Sequence, residues 1–240
     1  MKVGFVSLGC SKNLVDTEMM IGIFKKNGYE IVNNENIADI IVINTCGFII
    51  TAKEEAINTI LEMAKLKEKN CKYLIERYKE ELLKELPEVD LFIKFSEYKT
   101  FWEQVQNLLN RDKNVKNEQL DFLDRIITTG KNYAYLRIAE GCNNFCTFCA
   151  IPYIRGRFVS RKEEDIIEEA EKLAKEGYKE LIVIAQDTTK YGIDIYKEPR
   201  LDKLLHKISK IQGIEWIRFL YSYPETITDE LIKEVKENDK

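Results

Sequence analysis

The densest chemistry in this chain lies in three cysteines, Cys142, Cys146 and Cys149, within the stretch EGCNNFCTFCAIPYIRGR at 140–157. The 240 residues hold six cysteines in all, so half of them fall on one short segment. Their spacing is C-x3-C-x2-C. A structural zinc site asks for four ligands, commonly in C-x2-C pairs, and the one histidine, His206, lies far along the chain. A cubic four-iron cluster offers four irons, and three thiolates leave one of them open to a substrate or cofactor. On that reading the missing fourth ligand is the point of the site. A zinc site, and buried thiols with no role, are the competing readings.

Composition bounds what surrounds these thiols. With 45% hydrophobic and 32% charged residues the chain is globular, and its length suits one large or two ordinary domains. A net charge of −4 and an isoelectric point near 5.4 speak against a chain that wraps nucleic acid by itself. Met1 runs straight into KVGFVSL, with no cleavable leader, and the longest apolar run, IADIIVINTCGFII, is too short to span a bilayer and is broken by Asn44, Thr45 and Gly47. The expected location is the cytoplasm, where thiols stay reduced and clustered cysteines read as ligands or catalysts before disulfides.

The elements that must position the cysteines alternate between strand and helix signals. KVGFVSL reads as a buried strand, and Val15, Met19, Met20, Ile23 and Phe24 recur at helical spacing until Gly28. ADIIVINT is a second strand, followed by a helix with Ala52, Ala56, Ile57, Ile60, Leu61 and Ala64 on one face. CKYLI starts a third strand, and ERYKEELLKEL reads as a helix that Pro87 ends. Cys10 and Cys46 thus stand just past the carboxyl ends of two strands, the edge at which open α/β sheets bind ligands. The segment 111–131 is charged and aperiodic and reads as a linker between a domain at 1–110 and another at 132–240. In the second domain YAYLRIAE, ELIVIAQ and EWIRFLYS are strands separated by helices over Ile166–Ala174 and Leu204–Ile208, which suggests part of a parallel barrel. The three-cysteine loop follows the first of these strands, on the face where such barrels keep their chemistry.

Four segments carry a family resemblance: GCSKNLVDTE at 9–18, VINTCGF at 42–48, YAYLRIAEGCNNFCTFCAIPYIRGRFVSR at 133–161 and IAQDTTKYG at 184–192. Together they resemble the radical S-adenosylmethionine (SAM) methylthiotransferases over essentially the whole chain, and most of all the type that modifies an aspartate of small-subunit ribosomal protein twelve. The resemblance implies a Rossmann-like parallel α/β domain followed by part of a radical SAM (β/α) barrel, with the rest of the barrel and a small β domain absent. It implies a 4Fe-4S cluster on Cys142, Cys146 and Cys149 whose open iron chelates SAM, which an electron then splits to a radical. Phe148, just before the third cysteine, would pack near the adenine. It also implies a second 4Fe-4S cluster that carries the sulfur to be inserted. Cys10 and Cys46 match two of its ligands. Where the family has a Thr-Gly-Cys segment with the third, this chain passes directly from Ile75 to Glu76. The expectation is a stretch missing from the sequence as it stands, since a true loss would leave only two ligands. Cys71, at the wrong end of its strand, is no substitute. The implied partners are the ribosomal protein and an electron donor such as flavodoxin or ferredoxin. The alternatives are a related enzyme acting on adenosine of transfer RNA, whose first segment has Gln-Met-Asn where Ser11-Lys12-Asn13 stands here, and an inactive cluster-binding homologue.

Other residues have two readings each. Arg155, Arg157 and Arg161 form a basic loop that either positions SAM or an acidic substrate segment or is simply solvated, and Arg157 is taken as a cofactor contact. Gln186 and Asp187 end the second barrel strand, where they reach the cofactor or cap a helix. Tyr221 and Ser222 end the third strand in the same way. Asn13 and Asp16 either cap the first helix or orient the cluster. His206 reads as a surface helix residue, and Trp102 and Trp216 as packing.

Overall fold

The computed structural model describes residues 1–68, 71, 73–77, 86–109 and 118–240, with the backbone alone at 68 and 73–77. They divide into two units, Met1–Ile126 and Ile127–Lys240.

In the first unit, β1 (Lys2–Ser7) leads to α1 (Ser11–Lys26), β2 (Glu30–Val32), β3 (Ile40–Asn44), α2 (Ile50–Ala64), β4 (Tyr73–Arg77), β5 (Leu91–Phe92) and α3 (Phe101–Leu108). The strands form one parallel sheet in the order β2-β1-β3-β4-β5. Its central strand, IIVIN, is buried at every residue, which is why it carries no polar alternation. One apolar cluster gathers Met20, Phe24, Ile40, Phe101 and Trp102, and a second gathers Ile41, Ile43, Ile60, Met63 and Cys71. Phe24 meets Trp102 edge to face with ring centroids 5.1 Å apart, an arrangement worth about 0.5–1.5 kcal/mol beyond the area buried.

Two expectations need correction here. The helix expected from Glu76 cannot begin there, because Glu76 and Arg77 continue β4 in register with Ile43 and Asn44 of β3; the rest of that segment, 78–85, lies outside the described residues. Within the segment read as a linker, residues 118–126 lie against α1: Arg125 pairs with Glu18 at 2.7 Å with both side chains 1% exposed, and Lys26 pairs with Asp124. Gly22 leaves room for this strap, since a Cβ there would collide with the carbonyl of Asp124.

The second unit repeats strand and helix: β6 (Tyr133–Arg137), β7 (Ala139–Glu140), α4 (Ile151–Ile154), β8 (Val159–Ser160), α5 (Glu163–Lys175), β9 (Glu180–Ile184), α6 (Ile193–Tyr196), α7 (Leu201–Ser209), β10 (Trp216–Phe219) and α8 (Asp229–Glu237). Strands β10-β9-β6 form an open parallel sheet, and β7 pairs with β8 antiparallel. The core joins Leu136, Leu181 and Val183 of the sheet to Ile166, Ala170 and Leu173 of α5 and Leu204, Leu205 and Ile208 of α7. Thr228 caps α8, its Oγ accepting the Leu231 N–H at 3.2 Å. Trp102 is packing as expected, but Trp216 is 59% exposed on β10 and belongs to no core.

Candidate cluster and cofactor sites

The three-cysteine loop leaves β7 and returns through β8, so its base is a short antiparallel pair, Glu140 opposite Val159. The turn out of β7 needs Gly141, whose φ is +73° and whose added Cβ would land on the carbonyl oxygen of Arg157. Above this base Cys142 N–H donates to Gly156 at 3.1 Å, Phe158 N–H donates to Asn143 Oδ1 at 3.1 Å, and Cys149 N–H donates to Cys146 at 2.9 Å. Cys142, Cys146 and Cys149 are all free thiols and partly open to solvent. The N–H of Asn144 points at Cys142 Sγ, 3.4 Å away, and hydrogen bonds to ligand sulfur help set the potential of an iron-sulfur centre.

Among the described residues no three His, Cys, Asp or Glu side chains close on one point as ligands of a single ion. A cube of irons asks for something different, because each cysteine takes its own iron and the sulfurs stand farther apart than around one ion. Three free, accessible thiols on one loop, with a backbone N–H already on one sulfur, fit that requirement.

The following strand ends add polar groups. Gln186 and Asp187 follow Ala185 just beyond β9, and Asp187 is 2% exposed. Asp187 Oδ1 accepts the Thr189 hydroxyl at 2.5 Å, whereas Asp187 Oδ2 and Gln186 Nε2 are buried without a hydrogen-bond partner. Asp187 makes no side-chain cap to the turn that follows, so the capping reading is overturned for it; two buried polar atoms without a hydrogen bond at a sheet's carboxyl edge fit a polar cofactor. Lys190 lies 3.7 Å from Asp187 Oδ2 and donates to Asn144 of the cysteine loop, tying this strand end to the cluster loop. Tyr221, after β10, adopts φ +66°, and its carbonyl accepts the Thr188 N–H at 3.0 Å.

Phe148 is 86% exposed, free to lie against a flat ligand. The three arginines do not act alike. Arg157 is exposed, its guanidinium 4.5 Å over the Phe145 ring, but Arg155 is buried against Glu140 and Arg161 donates to the Arg137 carbonyl and to Glu169. A solvated basic loop is therefore wrong for two of the three. His206 is a surface residue as expected, 3.3 Å from Glu234.

In the first unit Cys10 occupies the position before the first residue of α1, making no side-chain cap, and Cys46 follows β3, both free and partly exposed at the same sheet edge. Gly9, with φ +90°, brings them close: a Cβ built on it would lie 2.5 Å from the Cβ of Cys46. Asn13 is not a helix cap. Its buried amide donates to the carbonyls of Leu8 at 3.0 Å and Thr45 at 2.7 Å, one in each cysteine segment, and Asn44 donates back to Asn13 O at 2.7 Å and to Thr17 at 2.8 Å. Asp16 is buried inside α1 and is not its cap either. Cys71 lies in the core before β4, at the end of that strand remote from Asn44 and Cys46. The Ile75–Glu76 junction, at which the expected third-ligand segment is missing, lies inside β4, with both residues in register against β3. Sequence reasoning missed Glu140, Asn144 and Lys190 as parts of the loop; only their nearness to the cysteines in sequence could have marked the first two.

Known proteins resemble both units. The family described as "Uncharacterized protein family UPF0004" matches residues 2–94, and the Radical SAM superfamily matches 136–240. A ribosomal protein uS12 methylthiotransferase RimO from Alkaliphilus oremlandii is 63% identical across the whole chain, which covers 56% of that relative. The protein of the same name from Thermoanaerobacter sp. is 53% identical over 99% of the chain and 57% of its own length, and that from Acetivibrio thermocellus is 51% identical over all of the chain and 57% of its length. The chain thus spans a little over half the length of these relatives. The Alkaliphilus alignment runs over 246 positions against 240 residues here, so at least some of that relative's positions have no counterpart in this chain. Among solved structures, the radical SAM methyltransferase TsrM from Kitasatospora setae superposes with a TM-score of 0.63 at 12% identity over 98% of this chain and 57% of its own. The cobalamin-dependent SAM radical enzyme OxsB does so at 0.55 and 13% identity, over 98% of this chain and 41% of its own. These two speak for the fold alone. With one matched family on each cysteine-bearing unit and relatives of one name along the entire length, the chain is similar throughout to the radical SAM methylthiotransferases of the RimO type.

Proposed function

We propose that this chain is the cluster-bearing part of an enzyme that inserts a methylthio group at the β-carbon of an aspartate in ribosomal protein uS12. The observation that carries this reading is the 63% identity to a protein named for that activity, held across both cysteine-bearing units. Cys142, Cys146 and Cys149 hold one 4Fe-4S cluster, and Cys10 and Cys46 hold a second together with a cysteine this chain lacks. When bound, the clusters and SAM supply the radical, the sulfur and the methyl group.

The chain's own residues bind and orient. Gly141 and the β7–β8 pair hold the base of the loop that carries the three thiols. Phe148 and Arg157 offer an aromatic face and a cation beside them, and Gln186 and Asp187 offer an amide and a carboxylate for the polar parts of SAM. In the first unit Asn13 holds the Cys10 and Cys46 segments together. An electron donor of flavodoxin or ferredoxin type completes the partners, and the ribosomal substrate places the enzyme in the cytoplasm. Among the described residues no helix is long and apolar enough to cross a membrane.

The test is mass analysis of uS12 and of transfer RNA from cells that lack both modifications and express this protein. Methylthiolated aspartate on uS12 is expected. A methylthio group on transfer-RNA adenosine instead, or on neither, overturns the reading.

A further inference from the structure

Between Glu140 and Gly156 the chain leaves the sheet, passes three cysteines and returns. Something must hold its two ends at a fixed separation, because closing a flexible loop costs entropy and leaves its interior free to spread. The backbone bonds at the base do part of this. One side chain does more. Glu140 Oε1 accepts the N–H of Gly141, at the outgoing end of the loop, at 3.1 Å. Its Oε2 accepts Arg155 Nη1, at the returning end just after α4, at 2.9 Å, and lies 3.1 Å from Arg137 Nη1 at the end of β6. Both arginine side chains are 5% exposed and Glu140 is 20% exposed, so the pairs are shielded from solvent screening. One carboxylate therefore joins the sheet, the exit of the loop and its return.

We infer that Glu140 is a positioning residue for the three-cysteine loop: through Arg155 and Arg137 it fixes the loop's two ends so that the thiols stand ready for a cluster. This deepens the proposed function and rests on its reading that Cys142, Cys146 and Cys149 hold iron. The tie is specific in geometry. Arg155 is the residue that closes α4, so losing the Glu140 bond loosens the segment that follows Cys149 directly. Arg161 secures the same region from the other side, on the Arg137 carbonyl and Glu169, so the sheet end itself survives loss of Glu140.

The experiment uses the whole chain, reconstituted anaerobically in a Cys10→Ala/Cys46→Ala background so that iron reports on the loop alone. Iron loss to a chelator and the electron paramagnetic resonance spectrum of the reduced cluster, with and without SAM, are compared for Glu140→Ala, Glu140→Gln, Arg155→Ala and the Glu140→Ala/Arg155→Ala pair. Glu140→Ala is expected to lose iron about tenfold faster, to show an altered SAM-dependent spectrum, and to gain little further from Arg155→Ala, because coupled partners are not additive. Should Glu140→Ala fail to fold, Glu140→Gln, which keeps the volume and loses the charge, is expected to lose iron several times faster with unchanged far-ultraviolet circular dichroism. Iron loss and spectra equal to the parent in Glu140→Gln, or fully additive effects of Glu140→Ala and Arg155→Ala, overturn the inference. A parent that takes up no iron at all overturns the cluster reading itself, a separate result.

Discussion

The two cysteine sites are built in opposite ways. Cys10 and Cys46 stand on the rim of a parallel sheet, just beyond its strands, and two buried amides, Asn13 and Asn44, bind their two segments together. Cys142, Cys146 and Cys149 stand on the loop between β7 and β8, held by contacts at its base and by Lys190 reaching from the next strand end. A sheet rim offers few positions but fixes them through the core. A loop can carry three ligands close together, but needs its own clamps.

The largest effect should come from the strap on α1, the helix that begins at Cys10. Arg125→Ala leaves the Glu18 carboxylate buried without this partner, which is expected to destabilise the first unit by about 3–5 kcal/mol. Denaturation followed by Trp102 fluorescence in a Trp216→Phe background reads this directly, since Trp102 is buried in that unit. Next come the two glycines. Gly9→Ala and Gly141→Ala each force a side chain into a left-handed backbone, at about 1–2 kcal/mol, and add a collision. Each should impair its own site and spare the other, as read by iron content in backgrounds where one set of cysteines is replaced by alanine. Asn13→Ala strands two carbonyls and should cost about 1–3 kcal/mol, again seen through Trp102.

The smallest effect concerns Tyr191, behind the second sheet's loops. Burial, then the neighbouring Tyr196 and Glu163, pushes its hydroxyl far above the usual tyrosine range. The unfolded chain releases that proton near pH 10 while the folded chain keeps it, so the associated stability is present below about pH 10 and falls as the pH rises further. Tyr191→Phe removes a buried hydroxyl that interacts at most weakly with Tyr196, so it should change stability at neutral pH by less than about 1.5 kcal/mol and flatten the alkaline decline. Urea midpoints on both sides of about pH 10 check this.

The legibility of the sequence follows the same contrast. β3, α1, α5 and β9 were plain because burial on one or both faces writes itself as an apolar run or a 3.6-residue repeat. β2 and β5, three and two residues long, carry too little pattern to be seen, and α3 is too short to stand out as a helix although Phe101, Trp102 and Val105 share its buried face. The cysteines announced themselves by spacing. Their supports did not: Asn13 looks like a cap in sequence, and Arg155 and Arg161 look like surface charge. Only the fold shows that these side chains turn inward, because their partners lie on other segments, Thr45 for Asn13 and Glu140 for Arg155.

One measurement bears most directly on the account: iron and acid-labile sulfide after anaerobic reconstitution, for the chain and for its Cys142→Ala/Cys146→Ala/Cys149→Ala variant. The variant is expected to hold about four irons fewer, with matching sulfide, as one cubic cluster requires. Equal iron in the two proteins, or one zinc per chain on the loop, would contradict a cluster held by these three cysteines.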